Sequence, residues 1–384
     1  MYCLFRSRLV AFFLFSMCLC SYAQDTIYSR YIIDTLTSEY FFGRGYTQDG
    51  LAKAGKFLKE EFITAGLLPM NGTYLQEVSY SVNTFPGEMH LSIDGNEMRP
   101  GKEFIITPSS RSLKGNFEVR QVDSNTFVND RRNFKMRLAD KLTWSISNKT
   151  HDSTGIVLLR SSITKVPSNV RIRMRNKWIK EFETHNVCGI VRGTRYPDSV
   201  ILFTAHYDHL GGMGRSTYFP GANDNASGIS QLLGLARYYA KNPQPYSIGF
   251  IAFTGEEAGL RGSEYYTNHP LLPLSSIRFV INLDLTGTGI DGITVVNATE
   301  FPEEFGILEI INGEYHFLSR INSRGKARNS DHYWFSERGV KAFFIYAMGG
   351  VQAYHDVYDI SATLPNNRYV ELFHLLRLFV ERIQ

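Results

Sequence analysis

The sequence is poor in several features that would narrow its reading at once. Only four of its 384 residues are cysteine, and Cys3, Cys18 and Cys20 fall within the first 23 positions. Cys188 alone remains downstream, so no disulfide within the rest of the chain can support the fold. Set in the apolar stretch NVCGIV, Cys188 reads as a buried filler rather than a nucleophile. Long hydrophobic runs are scarce too. The N-terminal run from Leu9 to Cys20 is short for a bilayer span. Arg6 and Arg8 precede it and a small residue, Ala23, closes it, so residues 1–23 predict a secretory leader, not a stable membrane anchor. The predicted location is therefore outside the cytoplasm, periplasmic or extracellular. Charge of one sign is also lacking. The formal net charge is +4. Loss of Arg6 and Arg8 with an acid-free leader leaves +2, which excludes the basic footprint of a nucleic-acid partner. Internal repeats and low-complexity linkers are missing as well.

What is present is an ordinary globular balance, 43% hydrophobic and 20% charged, in a chain long enough for an α/β enzyme with an insertion. Residues 47–65, TQDGLAKAGKFLKEEFITA, predict an amphipathic helix with Ala52, Leu58 and Phe62 on a shared face and Gly66 as its stop. Residues 24–75 thus form a helical lead-in. Residues 76–185 alternate apolar and polar positions in stretches such as MHLSID and NFEVRQV, which predicts a β-rich insertion or subdomain. From residue 186 to 384 short apolar strands (VCGIVR, SVILFTA, SIGFIAFT, RFVINLD, KAFFIYA) alternate with helical patterns near 227–241, 303–312, 331–338 and 366–382. This rhythm predicts an α/β fold: three layers, α/β/α, with a mixed, mostly parallel central sheet.

Such sheets bind ligands beyond the carboxyl ends of their strands. His206, Tyr207, Asp208 and His209 follow SVILFTA. Glu256 and Glu257 follow SIGFIAFT, and Asp284 follows RFVINL. Asp224 stands in GANDNASG just before a helix, and His355 in AYHDVYD after the last strand. A single histidine there is ordinarily a hydrogen-bonded structural residue, and NDN alone is ordinarily a turn or a cap. Several acids and imidazoles at one sheet edge, without thiolate, instead suit a catalytic zinc site. The set supplies enough ligands for two metals. Asp224 can bridge, His206 and Asp284 can complete one ion, and Glu257 and His355 the other. Glu256 is then free to act as a general base on water held between the ions. Asp208 is placed to accept the second ring N–H of His206. The loop 210–220 offers Arg215 and Tyr218 as contacts at the site entrance, against the plainer reading of a surface loop.

The segments AHYDHLG, PGANDNASG, FTGEEAGLRGSEYY, INLDLTG, SDHYWF and YHDVYD resemble, in order and spacing, the co-catalytic zinc aminopeptidase family. That family includes bacterial leucine aminopeptidases and aminopeptidase Y. Glutamate carboxypeptidases, the transferrin receptor and glutaminyl cyclases are its relatives. The resemblance covers residues 186–384 and the helical lead-in; 76–185 carries no matching motif. It implies two Zn2+ per chain, on His206 and Asp284, on Glu257 and His355, and bridged by Asp224, although cobalt or manganese would suit the same donors. It also implies Glu256 as general base and acid, Tyr354 as an oxyanion donor with packing as the alternative, and supporting roles for Asp331 and His332, with helix capping as the alternative for Asp331. The expected activity is that of a secreted exopeptidase, an aminopeptidase acting on peptides with a free N-terminus. A one-zinc glutaminyl cyclase is the alternative, and a non-catalytic, receptor-like protein a third reading.

Overall fold

The apolar strands of the sequence assemble side by side. In the computed structural model, residues 26–383 are described, and the leader predicted over 1–23 lies outside them. A nine-stranded sheet contains β1 (Leu68–Pro69), β2 (Leu75–Thr84), β3 (Lys177–Val191), β4 (Tyr196–His206), β5 (Tyr246–Phe253), β6 (Ile277–Leu283), β7 (Ile293–Val296), β8 (Ile321–Arg324) and β9 (Ala342–Ala347). Their order is β1-β3-β5-β4-β6-β9-β7-β8, with β2 paired to β3. The heart of the sheet, β5-β4-β6-β9, is parallel, and β3 and β7 join it antiparallel. Its strands are apolar almost throughout because both faces are covered.

Seven helices do the covering among the described residues: α1 (26–36), α2 (Gly50–Ala65), α3 (Gly228–Lys241), α4 (Arg261–Asn268), α5 (Pro302–Tyr315), α6 (His332–Glu337) and α7 (Tyr369–Arg382). Successive strand residues point to opposite faces. Ile201 and Phe203 of β4 and Phe250 of β5 therefore share a core with Ile32 of α1, Leu58 of α2, Leu232 of α3, Leu308 of α5 and Leu376 of α7. Their neighbours Leu202 and Ile251 join Val280 of β6, Tyr266 of α4 and Phe335 of α6 on the other face. Cys188 is buried in this second core. The layers are those the sequence predicts, although α1, α4, β7 and β8 were not among the elements read from it.

Helix α2 begins three residues later than expected and buries Leu58 and Phe62 of the predicted face but not Ala52. Its buried stripe is Leu51, Ala54, Leu58 and Phe62, and Ala52 points to solvent. Spacings of three and four residues follow the 3.6-residue turn, whereas the six residues from Ala52 to Leu58 do not. Gly66 ends the helix in the left-handed region, its N–H reaching the carbonyls of Phe62 and Ile63.

Strands β2 and β3 pair with each other, and β3 runs on into the central sheet. Between them lie a four-stranded and a five-stranded sheet. These pack Phe104, Met136, Ile156 and Ile172 into a core of their own, which also takes in Leu210, Met213 and Phe219 from the loop after β4. The insertion is thus packed directly onto a loop that leads to the strand-end cluster. Among the described residues no helix is long and apolar enough to cross a membrane.

Candidate metal centre

Strand β4 ends at His206, β5 ends three residues before Glu256, and Asp284 directly follows β6. The parallel register of these strands brings their ends to one edge. A tight turn presents the two glutamates. Gly255 there has a φ of +66°, and a Cβ on it would stand 2.7 Å from the Tyr80 ring. The turn therefore requires glycine.

Asp224 offers one oxygen to each of two histidines. Its Oδ1 is 3.4 Å from His206 Nε2, and its Oδ2 is 3.1 Å from His355 Nε2. Asp284 Oδ1 lies 3.2 Å from the same His206 nitrogen, and Glu257 Oε2 lies 3.2 Å from the same His355 nitrogen. Two donor sets therefore meet at one shared carboxylate. Both rings are turned by their other nitrogen. His206 Nδ1 is 3.1 Å from the Asp208 carbonyl, and His355 Nδ1 is 3.0 Å from the Trp144 carbonyl. With Nδ1–H donated to a carbonyl, Nε2 is the ring atom that faces the carboxylates and the one through which a metal would be bound.

Asp208 does something other than the sequence reading expects. Its carboxylate is 3.7 Å from His206 Nδ1, farther than its own backbone carbonyl. Instead Oδ1 accepts the backbone N–H of Glu256 at 3.1 Å, and Oδ2 that of Glu257 at 3.2 Å. One buried carboxylate thus fixes the backbone of both glutamates.

Electrostatics separates those two neighbours. Burial, with the charges of Glu257, Asp284 and Asp331, pushes the Glu256 carboxyl well above the usual range. Burial acts on Glu257 in the same direction, but His355 and His209 outweigh it and hold its carboxyl well below the usual range. Burial works against a charged ring at His206, yet Asp284 and Glu256 raise its pKa well above that of free imidazole. His355 is raised to about 11, against burial, chiefly by Glu257 and Asp224. Environments that drive two adjacent carboxyls apart assign them different work.

The donor chemistry fits zinc. Candidate ligand atoms of His206, Glu256 and Asp284 lie within 4.8 Å of one another, as do those of His209, Asp224 and Glu257. All are nitrogen or oxygen, a combination typical of catalytic zinc. His209 donates from Nδ1 to Glu257 Oε1 at 2.7 Å, and its buried Nε2 has no hydrogen-bond partner among the described residues. The cluster opens on a cleft of about 290 Å³, which Leu285, Arg324, Asn329, Phe344 and Tyr346 also line.

Tyr354 lines the same cleft, half exposed, with its ring stacked on His355 at 4.0 Å. Partial burial and the nearby Asp224 and Glu257 push its hydroxyl pKa up, so it keeps its proton. Asp331 sits behind the cluster and makes no side-chain cap to α6; it accepts from Ser263 Oγ at 2.5 Å. Burial raises its carboxyl to about 7. His332 does not join the cluster. Its ring packs on Phe344 at 5.4 Å, and burial lowers its pKa to about 3. Arg215 and Tyr218 also miss the cleft. Arg215 is exposed beside a separate hollow with Lys114 and Arg173, and Tyr218 packs on Phe42 at 5.5 Å.

Other residues at the site were given no role from the sequence. The Asp359 carboxylate accepts the N–H groups of Asn223 and Asp224, at 2.8 and 3.0 Å. Arg44, wholly buried, donates to the carbonyls of Leu36, Tyr207, Pro220, Gly221 and Asp224. His209 stands as the second histidine of HYDH and Asp359 closes YHDVYD, though neither residue type says what it holds; Arg44 and Trp144 carry no local motif.

Comparison with known proteins places this geometry in context. Residues 186–380 match the profile of Peptidase family M28. Aminopeptidase YwaD of Bacillus subtilis (strain 168) is 40% identical over 110 residues, which are 27% of this chain and 22% of that protein. The chain therefore spans only about a fifth of that relative. Among solved structures, a zinc aminopeptidase from Bacillus subtilis aligns with a TM-score of 0.69 at 18% identity, over 92% of this chain and 93% of that one. A Peptidase M28 precursor from Shewanella amazonensis aligns with a TM-score of 0.72 at 12% identity, over 92% of both chains. At such identities the structures speak for the fold.

Proposed function

The chain belongs to Peptidase family M28, and on that premise we propose that it is a zinc-dependent exopeptidase removing N-terminal residues from peptides with a free amino group. One observation carries the reading: the two oxygens of Asp224 face two different histidines. A carboxylate so placed is the bridge that a two-metal site needs. His206, Asp224 and Asp284 would hold one zinc, and Asp224, Glu257 and His355 the other. Bound zinc supplies a Lewis acid for the scissile carbonyl and lowers the pKa of water.

The chain's own groups perform the remaining work. Glu256, aimed by the Asp208 carboxylate through its backbone N–H, takes a proton from the attacking water and hands it to the leaving amine. Tyr354 retains its hydroxyl proton at the cleft and donates to the oxygen on which charge develops. His209 orients Glu257 from the buried side. Leu285, Phe344 and Tyr346 give the cleft an apolar wall against which a side chain can displace water.

Zinc content and peptide products test the proposal together. Protein purified without chelator should hold two zinc ions per chain and release single amino acids from unblocked peptides, leaving N-acetylated ones intact. One ion with conversion of N-terminal glutamine to a cyclic product would establish the cyclase alternative. Neither metal nor turnover would establish the receptor-like one.

A further inference from the structure

The insertion that carries no motif reaches one ligand of the site directly. Trp144 and His355 are 211 residues apart. The Trp144 carbonyl accepts from His355 Nδ1 at 3.0 Å, and the Trp144 N–H donates to the His355 carbonyl at 2.9 Å. Three residues earlier, Lys141 Nζ donates to the Gln352 carbonyl at 2.9 Å and lies 3.4 Å from Asp356 Oδ2. The buried Asp356 in turn accepts the backbone N–H groups of Tyr354 and Tyr358, at 3.3 and 2.9 Å.

The segment being held needs holding. Residues 350–360 form neither helix nor strand. His355 itself has a φ of +52°, in the left-handed region where a side chain is disfavoured. Such a residue persists when its surroundings over-determine it. The anchor is rigid by contrast. The Trp144 indole is 3% exposed, stacks on Phe219 at 4.7 Å, and donates from Nε1 to the Ile106 carbonyl at 2.8 Å. His206 has no such dependence, because the carbonyl that turns its ring belongs to Asp208, two residues on.

We propose that the insertion is a positioning device for one half of the metal site: Trp144 and Lys141 fix His355 so that its Nε2 faces Asp224 and Glu257, while the half built on His206 and Asp284 is assembled by the catalytic portion alone. The proposal rests on the two-metal reading above. It gives residues 141–144 a role in the affinity for one ion of the pair.

The test is competition with a chelator on the full chain, comparing wild type with Lys141→Ala, Lys141→Arg and Trp144→Ala. Zinc retained per chain is measured as chelator rises, and Co2+ titration with visible absorption reads the sites separately. Groups that orient a metal ligand typically contribute roughly ten- to a hundredfold in metal affinity. Lys141→Ala and Trp144→Ala should therefore lose one ion at roughly ten- to a hundredfold lower chelator concentration, with the other ion unmoved. Lys141→Arg should recover most of the difference. Lys141 is about half exposed, so its alanine variant keeps the test alive if Trp144→Ala does not fold. Parallel release of both ions in Lys141→Ala, or no change in either, overturns the proposal. A wild type that takes only one ion overturns the two-metal reading, and this inference with it, before any variant is compared.

Discussion

Arg44 and Asp224 stand 180 residues apart in the chain, and the guanidinium of one donates to the backbone carbonyl of the other at 3.1 Å. Asp224 thus has its side chain shared between two histidines and its backbone held from behind by a buried cation. Burial lowers the Arg44 pKa to about 10, with Asp224, Asp359, Asp208 and Glu257 acting against that fall, so the group stays charged at neutral pH. The positive charge beneath the cluster offsets part of the repulsion among the carboxylates above it.

Replacing Arg44 with lysine should therefore be far from conservative. One ammonium cannot reproduce a planar fork that reaches five carbonyls. Buried acceptors left unpaired cost about 1–3 kcal/mol each. The expected loss is at least about 3 kcal/mol of stability, together with weaker zinc binding through the displaced Asp224. Denaturant unfolding of Arg44→Lys beside wild type measures the first, and zinc content the second. A variant equal to wild type in both would remove Arg44 from this role.

The contrast between Arg44 and Glu256 shows what a sequence can and cannot reveal here. Glu256 was legible because an apolar strand, SIGFIAF, announces where a parallel sheet ends, and chemistry gathers at such ends. His206, Asp284 and Glu257 were legible for the same reason. Arg44, Asp359 and Trp144 act through backbone groups far away in the chain, and no local pattern says which carbonyl a guanidinium will reach. Ala52 differs: Leu58 and Phe62 lie on the buried stripe of α2 as the sequence predicts, but the stripe continues through Ala54 and Leu51, and Ala52 lies off it. Arg215 and Tyr218, which the sequence offers as entrance contacts beside the plainer reading of a surface loop, follow the plainer one: a short hairpin between Gly212 and Tyr218 directs them away from the cleft.

Glu256→Gln separates base from ligand. The substitution keeps the shape and removes the charge. If Glu256 moves the proton, turnover should fall by roughly 10²- to 10⁴-fold with zinc content unchanged. Without zinc, burial raises its pKa in the folded chain and an ionised Glu256 costs stability at neutral pH, so the zinc-free variant should melt at the same temperature as zinc-free wild type or higher. Turnover within tenfold of wild type would remove the base assignment. Loss of one zinc would instead make Glu256 a ligand, as its proximity to His206 and Asp284 allows.

Removing zinc should lower the melting temperature. Asp224, Glu256, Glu257 and Asp284 line one cleft, Glu256 beside Asp284 and Asp224 beside Glu257, and dications held among them relieve repulsion that the unfolded chain does not feel. A ligand bound only by the folded state at a hundred times its dissociation constant contributes about 2.7 kcal/mol per site. Calorimetry of chelator-treated protein, before and after zinc is restored, should show a reversible upward shift. An unchanged melting temperature at saturating zinc would mean that these carboxylates do not hold it.

His332 gives the protein a stability that acid should erode. Burial against Phe344, reinforced by the charge of Arg324, keeps the ring neutral, with a folded-state pKa of about 3 against 6.5 for the free side chain. The sign follows from proton counting. Below pH 6.5 the unfolded chain binds a proton at this residue and the folded chain does not, until the pH nears 3. The unfolded state is therefore favoured as pH falls through that window, by at most about 1.4 kcal/mol per pH unit. Above pH 6.5 the contribution is constant. The check is the unfolding free energy of zinc-free wild type and of His332→Phe, measured from pH 7.5 down to about 4. Any packing penalty of the phenyl ring offsets the two curves by a fixed amount. Only the wild type carries the extra proton uptake, so the curves should run parallel above pH 6.5 and diverge below it, with wild type losing ground to the variant. Curves that stay parallel to pH 4 would mean that His332 accepts its proton in the folded state, and that its buried surroundings are more accommodating than the packing on Phe344 implies.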